Sequence, residues 1–249
     1  MKYAVLVKLR APGGITVNYP LAPVPSPHYP LPPPTTLVGA LAYPFLRLRE
    51  AKETVEGSFS PAVKILDMVP YASAGTDGWV RTREVERIFQ LMYQKKIRWN
   101  DMSLAYSVGA RGLSRFADDK LYVLYIVTEK SLIDYAYGIV RIGKKEGIVS
   151  VEDVCYEELE KTVKYKEMGT FETFFYFPKD IAVVQRGQVI SMPKLVKENF
   201  GTTVSPVMED YIVNNGFEPI IGELKTNGAL IKIEDFEIPI PRMLLEGKT

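Results

Sequence analysis

The stretch Tyr19-Pro-Leu-Ala-Pro-Val-Pro-Ser-Pro-His-Tyr-Pro-Leu-Pro-Pro-Pro34 leads without a break into Thr35-Thr-Leu-Val-Gly-Ala-Leu-Ala-Tyr43. Proline fixes φ and pushes the residue before it toward extended backbone, so the first half is expected to be a stiff strap, neither helix nor central strand. A helix can begin only where the prolines stop. Thr35 or Thr36 is placed to cap its first turn with a hydroxyl oxygen, and the open N–H groups of that turn, reinforced by the helix dipole, suit an anion such as phosphate.

Working outward, Lys2 to Leu9 alternates apolar and polar positions as a half-buried strand does. Thr36 to about Glu50 keeps an apolar face through Leu37, Ala40, Leu41 and Leu48, with Pro44 expected to kink the helix or end its first segment. Val63 to Tyr71 reads as a second strand, Ala72 to Gly78 as a loop, and Asp119 to Glu129, crowded with β-branched and aromatic residues, as a third strand. Ser131 to Tyr137 is predicted as a short helix capped by Ser131, and Gly147 to Cys155 as a further strand. The order strand, helix, strand, long excursion, strand, helix, strand predicts an α+β fold of the ferredoxin-like, split β-α-β kind over residues 1–165, with a basic thumb inserted at about 72–118. From 166 to 249 the apolar runs become short and are broken by Gly, Pro, Asn and Asp, which predicts a β-rich C-terminal region beginning near Lys166.

At 249 residues, 47% hydrophobic and 24% charged, the chain is long enough to bury a sizeable core. No apolar run approaches the roughly 18 residues of a membrane span and the N-terminus lacks a secretory pattern, so a cytoplasmic protein without a membrane partner is expected. The single cysteine, Cys155, excludes an internal disulfide and any multi-cysteine metal site, and reads as a buried thiol. A net charge of +1 argues against a generic nucleic-acid coat, but the charge is unevenly spread. Between Trp79 and Phe116 stand eight basic residues against three acidic ones, and between Glu152 and Glu160 five carboxylates and no base. Such a division fits a phosphate backbone on one side and a protein neighbour on another.

Arg81-Thr-Arg83 and Lys95-Lys96-Ile-Arg98-Trp99 join phosphate-seeking cations to an aromatic face, the combination that holds single-stranded RNA by backbone contact and base stacking. An amphipathic element with its charged side in solvent explains Arg87, Phe89, Leu91 and Tyr93 equally well, and Trp99 fits a core or partner contact as well as a base. Val108-Gly-Ala-Arg111-Gly-Leu-Ser-Arg115 reads either as a turn that lets backbone approach phosphate or as a hairpin tip. Catalytic constellations are scarce. The one histidine, His28, lies in the strap and reads as an exposed loop residue; one imidazole and one thiol build neither a triad nor a histidine metal cluster, and no P-loop is present. The carboxylates from Glu152 to Glu160 read as a solvated face, so neither metal nor cofactor is expected. Metal-free ribonuclease chemistry, in which a Tyr, Lys or His moves the proton of a ribose 2′-OH, stays open.

The opening Met1-Lys-Tyr-Ala-Val-Leu-Val strand, the Pro30-Leu-Pro-Pro-Pro-Thr-Thr-Leu-Val-Gly-Ala-Leu-Ala-Tyr43 run and the long excursion between the second and third strands resemble the CRISPR-associated Cas-five family, in its proline-rich archaeal type I-A form. The resemblance implies a ferredoxin-like, RAMP-type domain: a non-catalytic RNA-binding subunit that caps one end of a Cascade surveillance complex in antiviral defence. Such a subunit holds the 5′ handle of the CRISPR RNA (crRNA) and touches the Cas-seven backbone subunit and the large subunit. The likeness sets Pro34, Thr35, Thr36 and Gly39 near the handle. It makes the basic excursion a thumb over the RNA, with Arg81, Arg83, Lys95, Lys96, Arg98, Trp99, Arg111 and Arg115 as RNA-binding residues. A type I-C branch of the family cuts precursor RNA itself. Here the sole histidine lies in the strap, so processing is expected to fall to a separate Cas-six-type RNase. The alternative is a metal-independent endoribonuclease that makes crRNA. A type III RAMP subunit is disfavoured, because Gly216, Gly222 and Gly228 are too sparse for a C-terminal glycine-rich loop.

Overall fold

The computed structural model describes residues 1–20, 27–51, 60–89, 106–165, 169–201 and 205–246, with backbone alone for 86–89 and 106–110. The fold is α+β and mostly strand. Strand β1 (Tyr3–Arg10) is followed by helix α1 (Pro34–Leu48), a 3₁₀ helix over Pro61–Met68, β2 (Tyr71–Gly75) and the long pair β3 (Trp79–Phe89) and β4 (Tyr106–Phe116). Then come β5 (Lys120–Val127), the short α2 (Leu132–Ala136), β6 (Ser150–Glu158) and β7 (Val163–Tyr165). Four of these strands make one antiparallel sheet in the order β2-β5-β1-β6, and β3 and β4 pair with each other as a separate hairpin.

The later residues add β8 (Thr170–Thr173), β9 (Phe177–Pro178), β10 (Ala182–Arg186), β11 (Gln188–Pro193), β12 (Met208–Val213), β13 (Ile220–Leu224), β14 (Gly228–Ile233) and β15 (Phe236–Pro241). They form three-stranded sheets in the orders β10-β13-β8, β11-β12-β9 and β15-β14-β7. The expected boundary at Lys166 lies outside the described residues, and strands on either side of it share a core. On β1, Val5, Val7 and Leu9 pack with α1 and α2, whereas Ala4 and Leu6 pack with Ile231 of β14 and Ile238 of β15. The half-buried strand expected from its alternation is therefore buried on both faces at its centre, because β14 and β15 cover the side away from the helices.

Other local expectations are corrected. Most of Val63–Tyr71 is 3₁₀ helix, not strand: Pro61 supplies a helical φ at the first turn and the Ser60 hydroxyl accepts from Ala62 N. Strand β2 then occupies what was expected to be loop. Helix α1 does not end at Pro44, whose buried ring packs so closely on Gly138 that a Cβ there would stand 2.6 Å from Pro44 Cβ. Ser131 does not cap α2; its own dihedrals, −60° and −20°, are helical.

Candidate functional site

Pro33 holds the N-cap position of α1 and Pro34 the first helical one, and no side chain caps the turn. Thr35 and Thr36 thus lie inside the first turn, half-buried, and the capping role expected of them is not observed. The prolines explain why. Pro34 has no N–H to offer, Thr36 N and Leu37 N both donate to Pro33 O (2.9 and 3.1 Å), and Tyr176 Oη donates to the buried Pro32 O at 2.9 Å. The end of the helix is packed in protein; its side is what stays open.

That side, from Thr36 through Gly39 to Tyr43, forms one wall of a groove of about 370 Å³ whose other walls carry Asn18, Arg141 and Lys144. Lys144 N donates to Thr16 O at 3.1 Å, which holds the loop after α2 against the segment that leads into the strap and across from α1. The Arg141 guanidinium lies 6.0 Å from the centre of the Tyr43 ring, at the outer range of a cation–π contact. Among the described residues neither Arg141 nor Lys144 is paired with a carboxylate. A Cβ at Gly39 would meet no atom within 4 Å, so among the described residues no packing claims the space above it. A second hollow of about 790 Å³ shares Gly39, Tyr43 and Arg141 and runs on toward Arg47 and Ser60. Asn18 Oδ1 is buried and has no hydrogen-bond partner among the described residues.

Asn18 bridges to His28 across the strap, and His28 rests on the hairpin: a Cβ at Gly112 of β4 would stand 1.8 Å from His28 Nδ1. His28 is 6% exposed, with Nε2 buried and without a partner among the described residues, so the exposed loop histidine expected from sequence is instead the wedge between strap and hairpin. Burial holds its pKa below the usual value, with Arg81 and Arg83 pressing the same way and a hydrogen bond to the Leu113 backbone opposing them. The groove and the Arg81–Arg83 face of the hairpin are thus two sides of one strap.

The hairpin register runs from Trp79 opposite Phe116 to Phe89 opposite Tyr106, so Val108 to Arg115 is strand, neither turn nor tip. Side-chain alternation places Arg81 and Arg83 on one face and Glu84, Arg111 and Arg115 on the other. Arg81 Cζ lies 5.6 Å from the Trp79 ring centre, and among the described residues neither Arg81 nor Arg83 has a carboxylate partner. Arg111 and Arg115 do have one. Glu84 accepts from Arg111 Nη2 at 2.7 Å and from Arg115 Nη2 at 3.2 Å, and these guanidinium groups hold its carboxyl below the usual range. Lys95, Lys96, Arg98 and Trp99 lie outside the described residues. Arg141 and Lys144 were not anticipated; their only local signal is the basic run Arg141-Ile-Gly-Lys-Lys145.

The acidic stretch is partly ion-paired, not simply solvated: Glu152 with Arg10, Glu158 with Lys161 at 2.8 Å, and Asp153 with Lys8 at 3.3 Å. Cys155 is half-buried, and its thiol donates to Glu234 Oε1 at 2.7 Å. Burial and the two neighbouring carboxylates push that thiol up to about 12. Lys8, which also binds Glu234 at 2.7 Å, supplies the countercharge to this cluster.

No family model matches the chain. It is 30% identical over 207 residues to the CRISPR system aCascade subunit Cas5 1 of Saccharolobus solfataricus, covering 81% of this chain and 84% of that one. CRISPR-associated protein Cas5 3 of the same organism is 29% identical over 198 residues, 78% and 79% of the two chains. Solved structures share the fold, two of them as follows. One is a CRISPR protein from Archaeoglobus fulgidus (TM-score 0.59, 17% identity, 95% of this chain and 98% of that one). The other is a chain of a CRISPR RNA-guided surveillance complex (TM-score 0.52, 11% identity, 89% and 90%). Identity at the level of the first relative, carried over most of both chains, makes this protein a member of the CRISPR-associated Cas5 family.

Proposed function

We propose that the protein is a non-catalytic, RNA-binding subunit of a cytoplasmic type I-A Cascade surveillance complex, that it holds the 5′ handle of crRNA, and that the Cas-seven backbone subunit and the large subunit are its neighbours. The printed names of a Cascade subunit among its relatives and of an RNA-guided complex among its structural neighbours support the assembly. The β-α-β-hairpin-β-α-β order and the β2-β5-β1-β6 sheet support reading the N-terminal part as a ferredoxin-like, RAMP-type domain. Among the described residues no helix is long and apolar enough to cross a membrane.

The observation that carries the RNA reading is the uncovered side of α1 facing Arg141 and Lys144. Two cations with no carboxylate partner among the described residues, set over an open helix side, suit phosphates, and the strap leads on to Arg81 and Arg83. The absence of catalysis is supported by His28, whose Nε2 is sealed inside the strap and out of reach of a ribose.

Replacing Arg81, Arg83, Arg141 and Lys144 together by Ala tests this reading. Titration with 5′-handle RNA at several salt concentrations should give weaker binding and a salt slope lower by about 0.7 for each lost phosphate contact. A slope equal to that of the wild type removes both surfaces from the RNA. Repeat RNA incubated with the protein in EDTA should stay intact, and site-specific cutting would restore the endoribonuclease alternative.

A further inference from the structure

We propose that Tyr176, in the β-rich C-terminal region, is a positioning residue for the RNA groove: its buried hydroxyl sets where α1 begins, and so how the open side of that helix stands against Arg141 and Lys144. The inference rests on the RNA-binding reading above. Tyr176 lies between β8 and β9 and is fully buried. Its backbone N donates to Ala74 O at 3.1 Å and its carbonyl accepts from the Ser73 hydroxyl, both on β2 at the edge of the central sheet. The residue before it, Phe175, bridges to Gly75 and packs with Ile231 and Ile238 on the β14–β15 side, so the two rings straddle that edge and Tyr176 points to the helix side. The Tyr211 ring meets it edge-on, with centres 5.4 Å apart. With backbone tied and ring packed, the hydroxyl is fixed 2.9 Å from Pro32 O.

Pro32 O is a buried carbonyl that the prolines after it cannot satisfy. Pro33 and Pro34 have no N–H, and Thr36 N and Leu37 N both go to Pro33 O. Without the tyrosine hydroxyl this carbonyl loses its donor, which disfavours the packed position and favours one where Pro32 reaches water. The shift is not absorbed locally. Pro32, Pro33 and Pro34 have φ fixed by their rings, and Pro33, at φ −60° and ψ 158°, is in the stiff polyproline conformation, so the segment carries a displacement into the first turn of α1. There Thr36 walls the groove, with Gly39 beyond it. Tyr125 Oη, on β5, donates to Leu37 O at 2.8 Å and pins the helix to the central sheet. With α1 pinned at Leu37, a shift at Pro32 becomes a tilt of the first turn against Arg141 and Lys144.

The test compares full-length Tyr176→Phe with Tyr71→Phe, which removes a buried tyrosine hydroxyl that donates to Pro239 O at 3.5 Å on the β14–β15 side of the sheet. Each is titrated with single-stranded 5′-handle RNA at several salt concentrations, well below its melting temperature, and hydrogen exchange at the Thr36 and Leu37 amides is followed in the free proteins. Tyr176→Phe should bind about five- to tenfold more weakly, with the salt slope of the wild type because no cation is lost, and should exchange faster at both amides. Tyr71→Phe should match the wild type in affinity and exchange. Wild-type affinity or wild-type exchange in Tyr176→Phe overturns the positioning role, and so does an equal loss of affinity in Tyr71→Phe, which would be general loosening of the core; each of these leaves the RNA-binding reading standing. Absence of RNA binding by the wild type overturns that reading and this inference with it.

Discussion

At Gly39 an added methyl group meets nothing among the described residues. Alanine is favoured over glycine in a helix interior by about 1 kcal/mol, so Gly39→Ala should raise the melting temperature while its methyl narrows the groove and weakens handle binding. Thermal melts and RNA titration on one preparation check both directions, and wild-type RNA affinity would sever Gly39 from the site. His28 gives the pH dependence. Its folded-state pKa lies below the ordinary 6.5, so the unfolded chain binds its proton more readily; the contribution to stability is whole above that value and is lost as pH falls below it. His28→Gln should flatten the acid limb of the stability profile measured by denaturant unfolding, and an unchanged limb would place the titration elsewhere. The prolines and paired threonines were legible as the start of a helix. Their role was not, because Pro33 and Pro34 remove the amides and the cap that a threonine would have used.

For the hairpin, Glu84 is the residue that restrains Arg111 and Arg115. Glu84→Gln should free positive charge, tightening handle binding and steepening the salt slope by up to about 0.7 for each newly engaged cation. A slope no steeper than wild type would leave those two arginines as structural partners of Glu84. Elements whose signal is local were readable in advance: β1, α1 and β5 follow from alternation, the proline stop and β-branched crowding, and the β-rich character of the C-terminal region from its short apolar runs. Pro61–Met68 was misread because its Val, Ile and Met content resembles a strand while Ser60 and Pro61 set a helical start. Strands β11 and β12 escaped because what defines them is pairing with each other across an intervening 3₁₀ helix at Lys197–Phe200. The groove was only half legible for the same reason: Thr36 and Gly39 sit in a recognisable motif, whereas Arg141 and Lys144 reach them only through tertiary packing.

Across the whole molecule, the central sheet is covered by α1 and α2 on one face and by β14 and β15 on the other. Leu6, fully buried against the C-terminal strands, should cost about 2–5 kcal/mol on replacement by Ala, read by denaturant unfolding. A loss well under 1 kcal/mol would mean that the two parts of the chain fold apart. The same shared core makes a fragment ending at Tyr165 an unpromising binder, since it leaves Ala4, Leu6, Leu124 and Ile126 without their cover. The groove and the foot of the hairpin lie on the opposite, helix-bearing side, where we propose that the handle binds. The most direct measurement is photocrosslinking of 4-thiouridine-labelled 5′-handle RNA to the full-length protein, mapped peptide by peptide by mass spectrometry. The predicted result is crosslinking within Thr36–Tyr43 of α1 and within residues 139–149; an RNA that binds but leaves both segments unmodified, at every labelled position, would contradict it.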